Sequence, residues 1–166
     1  YELLKAAETQ MGFTLVNTVE EFIQSLFFLE RTKVIPENVL VITNAGGPGV
    51  NTTDVIESRK LTLANWSESS IRNIQDHYPL VHVSNPIDII GDATAERFQF
   101  VIEQAKRDPN IDAIHVIITQ QAVTNIPEVV KALITIKGRK PLLVSLIGGD
   151  ALARYRVLLR AANITC

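Results

Sequence analysis

Val39-Leu40-Val41-Ile42-Thr43-Asn44-Ala45-Gly46-Gly47-Pro48-Gly49-Val50 is the stretch whose reading decides the fold. Val39 to Ile42 is a continuous apolar run, as expected of a short strand covered on both faces. It stops in a turn of three glycines and a proline. That turn opens into a helix expected from about Val50 to Glu57. A buried strand, a glycine-rich turn and a helix make half of a βαβ unit, and such units build parallel sheets with right-handed crossovers.

The alternation continues downstream. Leu61-Thr62-Leu63 reads as a second strand, and Ser67 to Asp76 as a polar helix that Ser67 can cap. Leu80 to Val83 reads as a third strand. A long turn, Asn85 to Asp92, leads to Thr94, an N-cap for a helix that turns Phe98, Val101, Ile102 and Ala105 inward. Ala113 to Ile118 is the most buried-looking strand. A helix from about Pro127 to Lys137 has proline in its first turn. Leu142 to Leu146 is the fifth strand. Gly148-Gly149 then leads to Asp150, expected to cap a helix carrying Leu152, Tyr155, Leu158 and Leu159. The fold class is α/β: a doubly wound, parallel, five-stranded sheet of flavodoxin-like order 2-1-3-4-5, occupying residues 37–166.

Residues 1–36 read as a helix–strand–helix preface packed on that domain. The first helix covers residues 2–10, and Phe13 to Val16 is a strand. Thr18-Val19-Glu20-Glu21 is a capping box. Val19, Phe22, Ile23, Leu26 and Phe27 follow at helical spacing and are expected to face a core. The chain starts at Tyr1 inside a helix and stops at Ile164-Thr165-Cys166 on what looks like a new strand. It is therefore expected to be a fragment of a longer intracellular, cytoplasmic protein.

Composition narrows the function. The chain has 166 residues, 46% hydrophobic and 20% charged, with net charge -2. A chain of this size buries about 70% of its unfolded surface, so disorder is not expected. There is no basic stripe for nucleic acid or an anionic membrane. Cys166 is the single cysteine, which leaves no disulfide framework.

In such sheets ligands bind beyond the carboxyl ends of the strands. Three polar turns lie there: Thr43 to Val50, Ser84 to Asp92 and Thr119 to Thr124. Gly148-Gly149 is a fourth. In the first, three glycines allow close backbone approach and positive φ, and the free N–H groups and dipole of the following helix favour an anion. The turn holds no lysine or arginine, so an anion would rest on backbone dipoles and the Asn44 amide. It lacks the Gly-Lys-Ser/Thr ending of a phosphate-binding P-loop and is no Gly-x-Gly-x-x-Gly fingerprint. The residues suit a tight connection that binds nothing equally well. The second turn offers Asn85 and Asp88, with Pro86 restraining Asn85 to extended geometry. The third offers Gln120 and Gln121. His115 reads as a core histidine, His77 as a cation at a helix end, and His82 as a strand residue. No metal-ligand spacing and no nucleophile elbow is present.

These turns resemble the signatures of the NDP-forming acyl-CoA synthetases, of which the ADP-forming acetyl-CoA synthetases are the best known. Val41 to Val50 followed by Asp54 is similar to their "TNAGGPGV…D" segment. Ser84 to Asp88 with Gly91-Asp92-Ala93-Thr94 is similar to "NPvD…gdAt". Asp108-Pro109-Asn110-Ile111-Asp112-Ala113 is similar to "DpnvDa". The preface resembles the segment before this domain, so the likeness covers nearly the whole chain. It implies a relation to the carboxyl-terminal domain of the succinyl-CoA synthetase β subunit. Members convert acyl-CoA, phosphate and ADP to a carboxylic acid, CoA and ATP through an acyl phosphate and a phosphohistidine.

By that resemblance, Asn44, Ala45, Gly46, Gly47, Pro48, Gly49 and Val50 cradle the phosphate or phosphohistidine. Asn85, Asp88, Thr119, Gln120 and Gln121 support them. No catalytic residue and no metal ligand lies in this stretch, and no cofactor is bound by the domain alone. The histidine loop, the CoA-binding domain and the ATP-grasp domain would belong to a parent using ATP or ADP, Mg and CoA. The chain departs from the resemblance at two places: Asn51-Thr52-Thr53-Asp54-Val55 replaces small apolar residues, and Ser58-Arg59-Lys60 replaces a glycine turn. A non-catalytic regulatory or ligand-sensing module of the same ancestry, as in acetyltransferase fusions, is the alternative.

Overall fold

The computed structural model describes residues 2–12, 14–31, 36–59, 61–136 and 139–166. Phe13, which starts an expected strand, Lys137, which ends an expected helix, and Lys60 of the Ser58-Arg59-Lys60 segment lie outside them. The chain divides into two compact units, Tyr1–Lys33 and Val34–Cys166.

The first unit holds α1 (Glu2–Met11) and α2 (Val19–Arg31). The Thr18 hydroxyl accepts from the Glu21 N–H at 3.1 Å, and Glu21 reaches back to the Asn17 N–H at 2.6 Å rather than to Thr18. Thr14 to Val16 is not a strand. Val19, Phe22, Ile23, Leu26 and Phe27 of α2 find no core within this unit and are exposed. Two short helices have too little surface to enclose one.

The second unit is a parallel sheet flanked by helices. In chain order its elements are β1 (Asn38–Thr43), α3 (Gly46–Ser58), β2 (Thr62–Leu63), α4 (Glu68–His77), β3 (Ile87–Asp88), α5 (Ala95–Arg107), β4 (Ala113–Thr119), α6 (Ile126–Thr135), β5 (Leu142–Ile147), a 3-10 turn (Asp150–Leu152) and α7 (Ala153–Ala161). Strands alternate their side chains between two faces, and the core divides accordingly. Leu40, Ile42, Ile114, Val116, Ile118, Val144 and Leu146 join Phe98, Val101, Ile102, Val129, Leu133, Tyr155 and Leu159 in the main core. Val39, Val41 and Ile117 face the other way and pack against Ile56 of α3. Ser67 and Thr94 cap α4 and α5 as expected. Asp150 does not cap; it is the first residue of the 3-10 turn, and Gly149 precedes it.

The strand order differs from the expected one. β1 pairs β4 along one edge; on the other it pairs β2 through Asn38 and Val39, then β3 through Ile42 and Thr43. β3 therefore lies end to end with β2 instead of between β1 and β4. Thr165 makes an isolated parallel bridge to Leu143 beyond β5, and Ile164-Thr165-Cys166 is not a strand.

Leu80 to Val83 is not a strand, and His82 is not on one. The side chain of Asn85 fills the gap between β2 and β3 on that edge of β1. Its Oδ1 accepts from the Val41 N–H at 3.0 Å, and its Nδ2 donates to the Val39 and Ala64 carbonyls at 2.8 and 3.0 Å.

The opposite end of the sheet is knitted by the Asp108–Asp112 segment. Asp108 is 1% exposed and accepts from the Ser67 N–H and hydroxyl at 2.9 and 2.8 Å and from the Asn110 N–H at 3.0 Å. Burial raises its pKa, but these donors outweigh it and hold the carboxyl below the usual range. Asp112 accepts from the Asn38 N–H and side-chain amide at 2.9 and 2.8 Å, which also lowers its pKa. Lys140 Nζ donates to the carbonyls of Ala105 and Asp108. The most acidic motif in the family resemblance is thus structural.

His115 sits on β4, with Nε2 2.9 Å from the Ser145 hydroxyl. Burial pushes its pKa down to about 4, below the usual value near 6.5. The unfolded chain therefore binds the extra proton first. Stability is expected to be full above about pH 6.5 and to fall toward pH 4, by up to about 3 kcal/mol. Urea unfolding across that range should show the slope, and His115→Gln should flatten it.

Candidate functional site

Four turns meet at the carboxyl ends of the strands, and close contacts show how. The Asn44 side chain, 1% exposed, staples the first turn to the third. Its Oδ1 accepts from the Thr119 N–H at 2.8 Å, and its Nδ2 donates to the Thr119 carbonyl and the Thr124 hydroxyl at 2.9 and 3.2 Å. An added Cβ at Gly46 would lie 3.4 Å from Asp88 Oδ2, which places the second turn beside the first. At Gly91 it would lie 3.6 Å from Gln121 Cδ, which places the second beside the third. At Gly148 it would lie 3.0 Å from Gln120 Oε1, which brings in the fourth.

The glycines do not open the helix; they are its first turn. α3 starts at Gly46, four residues before the expected start. Helix propensity disfavours glycine, but a first turn tolerates proline, whose missing N–H has no intrahelical partner there. Packing supplies the rest. An added Cβ at Gly49 would sit 2.8 Å from Thr43 Cγ2 and 3.3 Å from Pro86 Cβ. Gly49 is buried, whereas Gly46 and Gly47 are exposed, and Gly47 has nothing within 4 Å of that position. None of the three has positive φ, contrary to expectation. Gly49→Ala is therefore expected to destabilise the domain by about 1–3 kcal/mol through overpacking, read as a lower urea midpoint.

The end of α3 lacks a side-chain cap, though Asp88 Oδ2 stands beside Gly46. Ala45 holds the N-cap position, no side chain caps the helix, and no acid lies in its first turn. The Thr43 hydroxyl only shapes the turn, bridging the N–H and carbonyl of Ala45 at 3.0 and 2.8 Å. Val50, the last of the expected cradle residues, is 52% exposed. Pro48 is partly buried.

Thr119 Oγ1 is buried without a hydrogen-bond partner, the kind of group that calls for an explanation. Asp88 Oδ1 accepts from the Ile90 N–H at 2.8 Å, leaving Oδ2 beside Gly46.

The side chains of Asn44 and Asn85 are consumed within the fold, so they position the site rather than present amides to it. Gln120 and Gln121 lie over Gly148 and Gly91. Thr53 turns inward and returns its hydroxyl to the Val50 carbonyl at 2.8 Å, so the polarity of Asn51-Thr52-Thr53 is partly absorbed by the helix itself. Sequence reasoning missed Thr124 and Arg97. Arg97 donates to the Ile89 carbonyl and Asp92 at 2.9 and 2.6 Å, a link between α5 and the second turn that no local pattern announces. Among the described residues no group of three or more His, Cys, Asp or Glu side chains could hold a metal ion, and no helix is long and apolar enough to cross a membrane.

A parallel α/β sheet with its polar turns gathered at one end around an uncapped, glycine-first helix is a doubly wound α/β domain. The Ligase-CoA domain model matches residues 39–157, and the chain belongs to that family. It is 32% identical over 166 residues to the Acetate--CoA ligase [ADP-forming] I of Archaeoglobus fulgidus, covering 99% of this chain and 23% of that one. It is 30% identical to the Acetate--CoA ligase [ADP-forming] II subunit alpha of Pyrococcus furiosus, covering 99% and 37%. Among solved structures, the dinucleotide forming acetyl-coenzyme A synthetase 1 of Ca. Korarchaeum cryptofilum in complex with phosphate and ADP superposes with TM-score 0.86 at 29% identity, covering 99% of this chain and 37% of that one. The chain thus spans less than two-fifths of these proteins.

Proposed function

We propose that this domain forms one wall of the phosphoryl-transfer site of an ADP-forming acyl-CoA synthetase, with the N-terminus of α3 stabilising the charge of a phosphohistidine or acyl phosphate. The observation that carries the reading is the uncapped end of α3, where exposed Gly46 and Gly47 leave backbone N–H groups for an incoming anion. Oriented backbone donors stabilise developing charge without reorganising. In phosphoryl transfer, positioning and electrostatics supply most of the catalysis. The partnerless Thr119 hydroxyl offers one further donor.

In the parent, phosphate would displace CoA from the acyl group to give an acyl phosphate. Its phosphoryl group would pass to a histidine and then to ADP, releasing the carboxylate and forming ATP. The histidine loop, the CoA-binding domain and the nucleotide domain would hold those reactants, with Mg, outside this stretch and in the cytoplasm.

Two results are expected. The isolated chain turns over no acyl-CoA with phosphate and ADP; measurable turnover would overturn the assignment of roles. It does bind inorganic phosphate weakly, at about 1–10 mM, because the histidine loop and nucleotide domain that would complete the site lie outside this stretch. Amide NMR shifts should concentrate at Gly46, Gly47, Gly49 and Val50.

A further inference from the structure

We propose that Arg97 is a positioning residue for this site. It holds the Asp88–Asp92 turn in a conformation the turn would not keep by itself, and so sets where Asp88 and Gly91 stand against Gly46 and Gln121. The proposal rests on the anion-site reading above for its effect on binding, though not for its effect on the turn.

The starting observation is Ile90, whose φ is 71°. A β-branched side chain in the left-handed region crowds its own backbone, and such residues persist only where their surroundings over-determine them. The tip itself gives isoleucine no compensating burial, since Ile90 is 37% exposed. Two local bonds bracket it: the Asp88 carboxylate accepts from the Ile90 N–H at 2.8 Å, and the Ala93 N–H donates to the Ile90 carbonyl at 3.0 Å. Both belong to the turn and move with it.

Arg97 comes from outside the turn, on α5. Its Nη1 donates to the Ile89 carbonyl at 2.9 Å and to Asp92 Oδ1 at 2.6 Å, gripping the residues on either side of Ile90-Gly91. The guanidinium is itself seated. Its carbon lies 5.3 Å from the centre of the Tyr78 ring, and that ring packs edge-on to Phe100 at 5.5 Å. The grip is therefore anchored in the α4–α5 layer. Arg97 Nε is buried without an acceptor, which is unfavourable. What Nη1 does for the turn accounts for the arginine better than its own hydrogen bonding does.

The test compares wild type, Arg97→Gln, Arg97→Lys, Ile90→Gly and the Arg97→Gln/Ile90→Gly double variant. Each is titrated with inorganic phosphate by amide NMR, with hydrogen exchange and urea unfolding measured in parallel. Arg97→Gln is expected to weaken phosphate binding about tenfold and to speed exchange at Ile90 and Ala93. Arg97→Lys, which keeps the charge but not the planar fork, should fall between. Ile90→Gly alone should leave affinity near wild type. In the Arg97→Gln background it should restore affinity, because glycine accepts the left-handed backbone unaided.

A merely structural Arg97 would lower the unfolding midpoint and gain nothing from a second, glycine substitution. Unchanged exchange at Ile90 and Ala93 in Arg97→Gln would overturn the proposal. So would a double variant as weak as the single one. If wild type binds no phosphate, the anion-site reading fails, while exchange at Ile90 and Ala93 still decides whether Arg97 holds the turn.

Discussion

Asn44→Ala is expected to destabilise the domain by about 2–4 kcal/mol and to abolish any phosphate response of the first turn. The side chain makes three hydrogen bonds across the end of the sheet, two of them to the backbone of Thr119. Alanine would leave the Thr119 N–H and carbonyl without those partners, and an unmade buried bond costs more than a made one gains. It would also free the first turn from the third, so that the α3 end and the Thr119 hydroxyl no longer hold a fixed separation. Asn44→Asp is a sharper variant. It keeps the acceptor for the Thr119 N–H but loses the donor and sets a carboxylate against the Thr119 carbonyl, so it should destabilise comparably. Urea unfolding of both variants checks the expectation; a loss below about 0.5 kcal/mol would mean that the staple contributes little.

Asp108→Ala should be as damaging, also about 2–4 kcal/mol, although Asp108 lies at the end of the sheet remote from the turns. Its carboxylate joins the cap of α4 to the entry of β4 through three donors. Asp108→Asn is expected to rescue little, since an amide nitrogen facing those N–H and O–H groups is a donor against donors. The carboxyl has a lowered pKa in the fold, so the unfolded chain takes up the proton first. Its contribution is present above the unfolded value near 4 and is lost as pH falls through the folded one. Acid unfolding should therefore begin with His115 and end with Asp108, and Asp108→Asn should remove only the lower part of the pH dependence.

How far the sequence discloses this molecule depends on whether a residue's role is periodic or tertiary. The runs at Val39–Ile42 and Ala113–Ile118 declare their strands because both faces are buried, Leu142–Leu146 through its buried face of Val144 and Leu146, and Phe98, Val101, Ile102 and Ala105 declare the inner face of α5. Leu80–Val83 misleads because it is apolar yet pairs with no strand, while on β1 the amide of Asn85 imitates a strand's hydrogen bonds. An asparagine before a proline carries no mark of that role. The start of α3 is hidden for the opposite reason. Glycines speak against helix locally, while Gly49 is demanded by Thr43 and Pro86 through contacts that no window of sequence contains.

The convergence of the turns is legible, because turns at the carboxyl ends of neighbouring parallel strands lie together. The division of labour among them is not. Asn44 and Gln121 are both polar turn residues, and only the fold shows that the first is spent on backbone while the second lies over Gly91.

The most direct test of the central claim is the phosphate affinity of Gly47→Ala set beside its urea midpoint. A methyl group at Gly47 meets no protein atom within 4 Å and improves helix propensity by up to about 1 kcal/mol. The fold should therefore be as stable as wild type or more so. If α3 presents its first N–H groups to an anion, the same methyl stands in the approach, and phosphate binding should weaken by at least about fivefold. An undiminished affinity in Gly47→Ala, or no shift at Gly46 and Gly47 in the wild-type chain up to about 50 mM phosphate, would contradict the account and leave the glycine turn as a connection between a strand and a helix.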